Sequence, residues 1–263
     1  MDLQLNGKRA FISGSTQGIG YSIAQLLLQE NASVIINGRN EEKTKAACFL
    51  LQQQFPNAEV DYVVADFAKK EDVAKLLEEL TDIDILINNV GIFGLEDFYQ
   101  TTDEDWYKYF EINVMSGMRL SKKLLPEMIR KNWGRIIFIS SESGVNIPGD
   151  MIHYGASKAA MSALSNGLSK LTKGTLVTVN TILGGPTYSY GVANTIGQIA
   201  EGQNMDLEQM KNAIIQHANP HILLQRFIQP EEIANLAVYL SSPLSIATNG
   251  ASLRADSGVL KVV

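Results

Sequence analysis

Short apolar runs alternate with longer amphipathic stretches along the whole chain. Residues 8–13, 33–37, 59–65, 83–87, 135–140 and 176–180 read as buried strands, with a short last strand near 251–254. Between them, apolar positions recur at three- and four-residue spacing. That period predicts helices over 21–30, 41–54, 70–80, 103–130, 153–172 and 230–241. Strands that are apolar on both faces and separated by helices belong in a parallel sheet covered on both sides. The expected fold class is therefore α/β, a single doubly wound parallel sheet of Rossmann-like type. Ligands of such sheets sit beyond the carboxyl ends of the strands. Gly14, Asp66, Asn88, Ser141 and Gly185 each follow a predicted strand, so all five are expected on one rim.

The first strand runs into Gly14, Ser15, Thr16, Gln17, Gly18, Ile19 and Gly20, and then into a helix. A strand, glycine turn, helix and second strand within about thirty residues is the layout of a dinucleotide site. Glycines admit a pyrophosphate close to the backbone, and the helix start offers free N–H groups and a positive dipole end. The spacing is Gly-x-x-x-Gly-x-Gly, which also suits a plain tight turn. At the tip of the second strand the chain reads Asn37-Gly38-Arg39-Asn40. An acid there would bind a ribose 2′-hydroxyl, whereas Arg39 can pair with a 2′-phosphate. The reading favours NADP over NAD.

Tyr154 and Lys158 lie four residues apart and share one helix face, and Ser141 precedes Tyr154 by thirteen positions. An ammonium beside a phenol favours the phenolate, so the Tyr154 pKa is expected to fall and the phenol to become a usable acid or base. His153 adjoins Tyr154 but faces another way along the helix, and reads as a lining or surface residue.

A chain of 263 residues suits one α/β domain, and no linker, repeat or low-complexity run divides it. The net charge of −6 gives no basic footprint for nucleic acid or an anionic membrane. One cysteine, Cys48, allows no internal disulfide, and with three histidines makes a dedicated zinc site an unpromising reading. No signal peptide or spanning run is read, so the expected location is cytoplasmic.

Taken together, Gly14-x-x-x-Gly18-Ile19-Gly20, Asp66, Asn88-Asn89-Val90-Gly91, Asn113, Ser141, Tyr154-x-x-x-Lys158 and Asn180-x-x-x-x-Gly185 resemble the short-chain dehydrogenase/reductase family over nearly the full length. The resemblance implies an NAD(P)-dependent oxidoreductase acting on a ketone or secondary alcohol. In that reading Tyr154 is the proton donor or base, Ser141 polarises the substrate oxygen, and Lys158 lowers the Tyr154 pKa and holds the nicotinamide ribose. Asn113 would position a water next to Lys158. Asp66 would meet the adenine, and Asn88 would support the central strand. Val90, Gly91, Gly185, Thr187 and Ser189 would border the cofactor, with Ser189 near the carboxamide. Residues 186–226, rich in Ile and Met, would form a helical substrate lid. The resemblance also implies a homotetramer or homodimer through the long helices, with residues 257–263 joining a second interface.

Two positions depart from the pattern. Val90 replaces the usual Ala, and Gly184 replaces a Pro, which suggests a looser loop. A 3-oxoacyl-carrier-protein reductase is a narrower possibility. Its basic docking positions fall here on Asn132 and Thr175, although Arg130, Lys131 and Lys173 lie nearby. From a different class, a non-catalytic dinucleotide-binding sensor would keep the fold but would have no use for Asn113, Ser141, Tyr154 and Lys158 together.

Overall fold

A computed structural model describes residues 2–261, so the last two positions of the 257–263 segment lie outside the described residues. Its strands are β1 (Arg9–Ile12), β2 (Ser33–Gly38), β3 (Val60–Val64), β4 (Ile85–Asn88), β5 (Gly134–Ser141), β6 (Val177–Gly184) and β7 (Ser252–Ala255). They form one sheet in the order β3-β2-β1-β4-β5-β6-β7, with every neighbouring pair parallel. All carboxyl ends therefore share one rim, and the direction of winding reverses between β1 and β4. A crevice at such a reversal is where this architecture binds ligands.

Period-two alternation divides the core. Ala10 and Ile12 of β1, Ile85 and Ile87 of β4, and Ile137 and Ile139 of β5 pack on one face. There they meet α1 (Gly18–Gln29), α2 (Glu41–Gln54) and α9 (Pro230–Ser241) through Leu27, Leu51 and Ala237. Phe11, Leu86, Ile136 and Phe138 point the other way. They meet α3 (Lys70–Glu79), α5 (Ser116–Arg130) and α6 (Ile152–Ser169) through Leu76, Leu124 and Met161.

The expected helix over 103–130 is not continuous. Helix α4 (Asp103–Phe110) starts on a capping box between Thr102 and Asp105. It then widens into a π turn at Glu111–Met115 before α5 begins. Strand β6 runs four residues beyond the expected end at Asn180, because β5 and β7 pair with it on both sides up to Gly184. Gly184 is thus held inside the ladder, which limits the slack suggested by the missing Pro. Beyond β6, helices α7 (Tyr190–Gly202) and α8 (Leu207–Ala218) enclose a separate apolar cluster of Ile196, Ala200, Met210, Ile215, Ile222 and Phe227. Ile199 and Met205 of the same segment stay exposed. Among the described residues no helix is long and apolar enough to cross a membrane.

Candidate active site

The glycine turn joins β1 to α1 at the point of reversal. Gly14 and Gly18 hold φ of +61° and +60°, a region that suits glycine. A Cβ on Gly20 would lie 2.5 Å from Asn89 Nδ2 and 2.8 Å from the Gly14 carbonyl oxygen. The turn is braced from outside. Gly14 N–H donates to Asn37 Oδ1 (3.0 Å), and Asn89 Nδ2 donates to the carbonyls of Ser13 (3.0 Å) and Gly14 (2.8 Å). Ser13 Oγ accepts from the backbone N–H groups of Asn89 and Val90, each at 3.0 Å.

Helix α1 then begins without a side-chain cap and without an acid in its first turn. By contrast, Asn40, Thr102, Ser189 and Asp206 cap α2, α4, α7 and α8. An uncapped helix start beside close-packed glycines fits a dinucleotide pyrophosphate. Ser15, Thr16, Gln17 and Ile19 supply the rest of this turn. Ser15 Oγ is turned inward, donating to the Ile12 carbonyl (2.7 Å), whereas Thr16 reaches the tip of β2. A Cβ on Gly38 would lie within 2.5 Å of Thr16 Cγ2 and closer still to Thr44 Oγ1. A side chain at position 38 would therefore require Thr16 and Thr44 to shift. Arg39 follows it, exposed and engaged in no ion pair among the described residues.

Asp66 follows β3, and its carboxylate accepts from Ala68 N–H (3.0 Å) in a local turn instead of capping α3. Asn88 is the last residue of β4. Its amide donates to Ser121 Oγ (3.4 Å), while its Oδ1 is buried without a partner. Across the sheet, a Cβ on Gly185 would meet Asp256 Cα at 2.8 Å, so β6 leaves the sheet in close contact with the chain after β7. Thr187 Oγ1 donates to the Gly185 carbonyl (2.8 Å). Ser189 lies over the glycine turn, 3.6 Å from a Cβ placed on Gly18.

The reactive groups lie between these two borders. Lys158 is buried on α6, and its ammonium donates to the Ile139 carbonyl (2.9 Å). Its Nζ stands 5.7 Å from the Tyr154 ring centroid. Ser141, at the end of β5, shares a hydrogen bond with the Tyr154 phenol and accepts from Ser143 N–H (3.1 Å). Ser141 is thus both a turn former and a partner of Tyr154. Phe93 meets the Tyr154 ring edge-on at 6.5 Å. A Cβ on Gly91 would be 3.4 Å from both Lys158 Nζ and Asn113 Oδ1, which places these three residues together.

Of three expectations, those for Tyr154 and His153 need correction, while Asn113 keeps one position for the expected water. The Tyr154 phenol is not drawn down in this state. Burial pushes it up to about 12, opposed by the hydrogen bond to Ser141, and Lys158 does not offset this. The same burial lowers Lys158 to about 8. With its ammonium directed to Ile139, desolvation outweighs attraction between the pair. Second, Asn113 spends its amide mainly on protein. Its Oδ1 accepts from Ile92 N–H (2.8 Å), and its Nδ2 donates to Ile92 O (3.1 Å) and Ser157 Oγ (2.9 Å). It ties the π turn to the loop after β4 and to α6, leaving one of an amide's four hydrogen-bonding positions for water. Third, His153 is buried, edge-on to Tyr109 at 4.1 Å.

Ser13, Asn37 and Asn89 were not singled out as site residues, although they frame the glycine turn. The serine just before the first glycine and the doubled asparagine after β4 were the available signals. Glu142 follows Ser141, and burial together with the charge of Asp256 pushes its carboxyl up to about 7.

The model of the short chain dehydrogenase family matches residues 8–198. The chain is 41% identical over 263 residues to a Bacillus subtilis protein named "Uncharacterized oxidoreductase YvaG", with both chains fully covered. It is 30% identical over 260 residues to the 3-oxoacyl-[acyl-carrier-protein] reductase FabG of Rickettsia felis, covering 99% of this chain and all of that one. Among solved structures, the L-sorbose reductase of Gluconobacter frateurii complexed with NADPH and L-sorbose superposes with a TM-score of 0.93. The two are 30% identical, with full coverage of both chains. The chain belongs to the short-chain dehydrogenase/reductase family. It is an oxidoreductase acting on ketone or secondary alcohol groups.

Proposed function

We propose that the protein reduces a ketone with NADPH. The observation that carries this reading is the meeting of Ser141, Tyr154 and Lys158 at the rim reached by the uncapped start of α1. When bound, NADPH supplies the hydride that the carbonyl carbon accepts. Gly14, Gly18 and Gly20 would admit its pyrophosphate to the start of α1, and Arg39 would pair with the 2′-phosphate. Gly91, Gly185, Thr187 and Ser189 would border the nicotinamide end, with Asp66 toward the adenine. Ser141 Oγ holds the carbonyl oxygen, an oxyanion-type task. Tyr154 gives that oxygen its proton. Burial favours the protonated phenol, so Tyr154 holds a proton to give. Lys158 lies behind the phenol as the neighbouring proton source. Asn113 keeps Gly91 and α6 in register around them. We infer that residues 186–226 act as the lid that excludes water.

The bound NADPH of the L-sorbose reductase supports the cofactor choice, as does the lack of an acid at the tip of β2, where Gly38 packs against Thr16 and Thr44. The acyl-carrier reading has less support. Arg130 is paired with Glu127, and Lys131 with Asp82, so two of the three cations near the docking positions are already neutralised.

Fluorescence titration with NADPH and NADH, followed by turnover assays on a ketone panel, tests the proposal. Tyr154→Phe should lose at least about a hundredfold in kcat while binding NADPH within about twofold of wild type. Full turnover in that variant would remove Tyr154 from the chemistry.

A further inference from the structure

The segment after β4 is held at alternate residues. Asn113 takes both backbone groups of Ile92, its Oδ1 accepting from the N–H (2.8 Å) and its Nδ2 donating to the carbonyl (3.1 Å). Glu96 N–H donates to the Asp150 carbonyl at 2.8 Å. Between them, a Cβ on Gly94 would lie 2.7 Å from the Tyr109 hydroxyl oxygen. Ordinary contact begins at 3.4 Å, so a side chain at position 94 is short of room by about 0.7 Å. Gly94 does not hold a positive φ. Space, and not backbone conformation, is what calls for glycine there.

The hydroxyl has little freedom to give way. Tyr109 is buried, and His153 meets its ring edge-on at 4.1 Å. His153 is buried in turn and lies 6.4 Å from the Trp106 ring. Neither of its ring nitrogens hydrogen-bonds to protein among the described residues, so what it offers Tyr109 is shape. The Tyr109 hydroxyl is thus a stop placed against the Gly94 backbone.

Phe93 is the residue that these anchors aim. Ile92 and Gly94 are half-buried, whereas Phe93 between them is exposed. Its ring meets Tyr154 edge-on at 6.5 Å and lies 3.8 Å from a Cβ placed on Gly191. Gly191 belongs to the first turn of α7, two residues after Ser189, which lies over Gly18. Phe93 therefore joins Tyr154 to the helix that starts over the glycine turn.

We propose that Tyr109 is a positioning residue: with Asn113 it sets the 92–94 backbone so that Phe93 stands between the Tyr154 ring and the start of α7. It touches no reacting atom and moves no proton; it acts through Gly94 and Phe93. The inference rests on the reductase reading for its effect on turnover. A misplacement of about 1 Å can cost about a hundredfold in rate, so a shift of about 0.7 Å passed to Phe93 is worth about tenfold in kcat.

The test exchanges volume between positions 94 and 109 and follows NADPH oxidation with cyclohexanone, acetophenone and 2,3-butanedione. Gly94→Ala should lower kcat about tenfold, with NADPH affinity within about twofold of wild type. Tyr109→Phe, which removes the stop, should lower kcat about threefold. In the double variant the added methyl fills the room left by the hydroxyl, and kcat should return to within about twofold of wild type. Phe93→Ala should be as slow as Gly94→Ala, and adding Gly94→Ala to it should cost nothing further. Circular dichroism checks folding. Should Gly94→Ala alone not fold, a folded double variant supports the contact and an unfolded one overturns it. Full turnover in Gly94→Ala, an equally slow double variant, or independent losses from Phe93→Ala and Gly94→Ala overturn the assignment but leave the reductase reading intact. No NADPH oxidation by wild type with any of the three ketones overturns the reductase reading instead. Hydrogen exchange then decides on Tyr109: protection over 92–95 and 189–193 should fall in Gly94→Ala and return in the double variant, and unchanged protection overturns the assignment.

Discussion

Replacing Asn113 by Ala tests whether the π turn is locked by that one side chain. The residue is fully buried and makes three hydrogen bonds, two to Ile92 and one to Ser157. At about 1 kcal/mol net for each bond, the loss is about 3 kcal/mol, and the Ile92 N–H loses its described partner. For a chain of this size each kcal/mol moves Tm by about 2–4 °C, so calorimetry should record a fall of roughly 6–12 °C. Ser157→Ala removes one of the three bonds, and a double-mutant cycle between the two should give a coupling of about 1 kcal/mol. Turnover should fall alongside stability, because Gly91 lies between Asn113 and Lys158. A Tm change below about 2 °C, with no coupling to Ser157, would refute the lock.

Other outcomes follow from separate parts of the molecule. Arg39→Ala should lower the ratio of NADPH to NADH affinity about tenfold, and an unchanged ratio in fluorescence titration would make Arg39 an ordinary solvated side chain. Gly38→Asp should fail to create an NADH enzyme and should lower Tm, since Thr16 and Thr44 occupy the space of its side chain. A stable variant with NADH preference would show that both threonines move freely. Glu232 is held at about 2 by Arg226, helped by the Gln229 N–H. Its depressed pKa adds stability above the ordinary 4.5, and that stability is lost as pH falls toward 2. The pair is partly exposed, so Glu232→Gln should lose no more than about 1 kcal/mol at pH 7. The melting gap from wild type should close in acid, and a gap constant from pH 7 to 3 would contradict the pairing.

The sheet could be read from the sequence because its five inner strands are largely apolar and almost wholly buried, whereas β3 and β7, at the edges, are half-exposed. The rim residues followed from strand order, as Gly14, Asp66 and Gly185 come just after strands, and Asn88 and Ser141 end theirs. The π turn could not be read. Glu111–Met115 carries no Gly or Pro, and the contact made from within it, Asn113 with Ile92, is a tertiary one. The end of β6 was hidden for a similar reason: pairing on both sides, rather than local propensity, carries the strand to Gly184. The direction of the Tyr154 shift depended on burial, and helix spacing reports only proximity. Helix position alone makes His153 a lining or surface residue; Trp106 and Tyr109 of α4, which cover it, lie more than forty positions upstream.

The brace on the glycine turn also bears on the order of events during synthesis. Asn89 and Val90 grip Ser13 and Gly14 from 75 to 77 positions downstream. At about 5–20 residues per second, the ribosome delivers them on the order of 4–15 s after the turn itself. Until then the first β-α-β unit can pair its strands but cannot clamp its loop. A nascent chain halted before Asn89 would therefore carry the glycine motif with only the Asn37 part of its brace, and competence to hold a dinucleotide would arrive with β4.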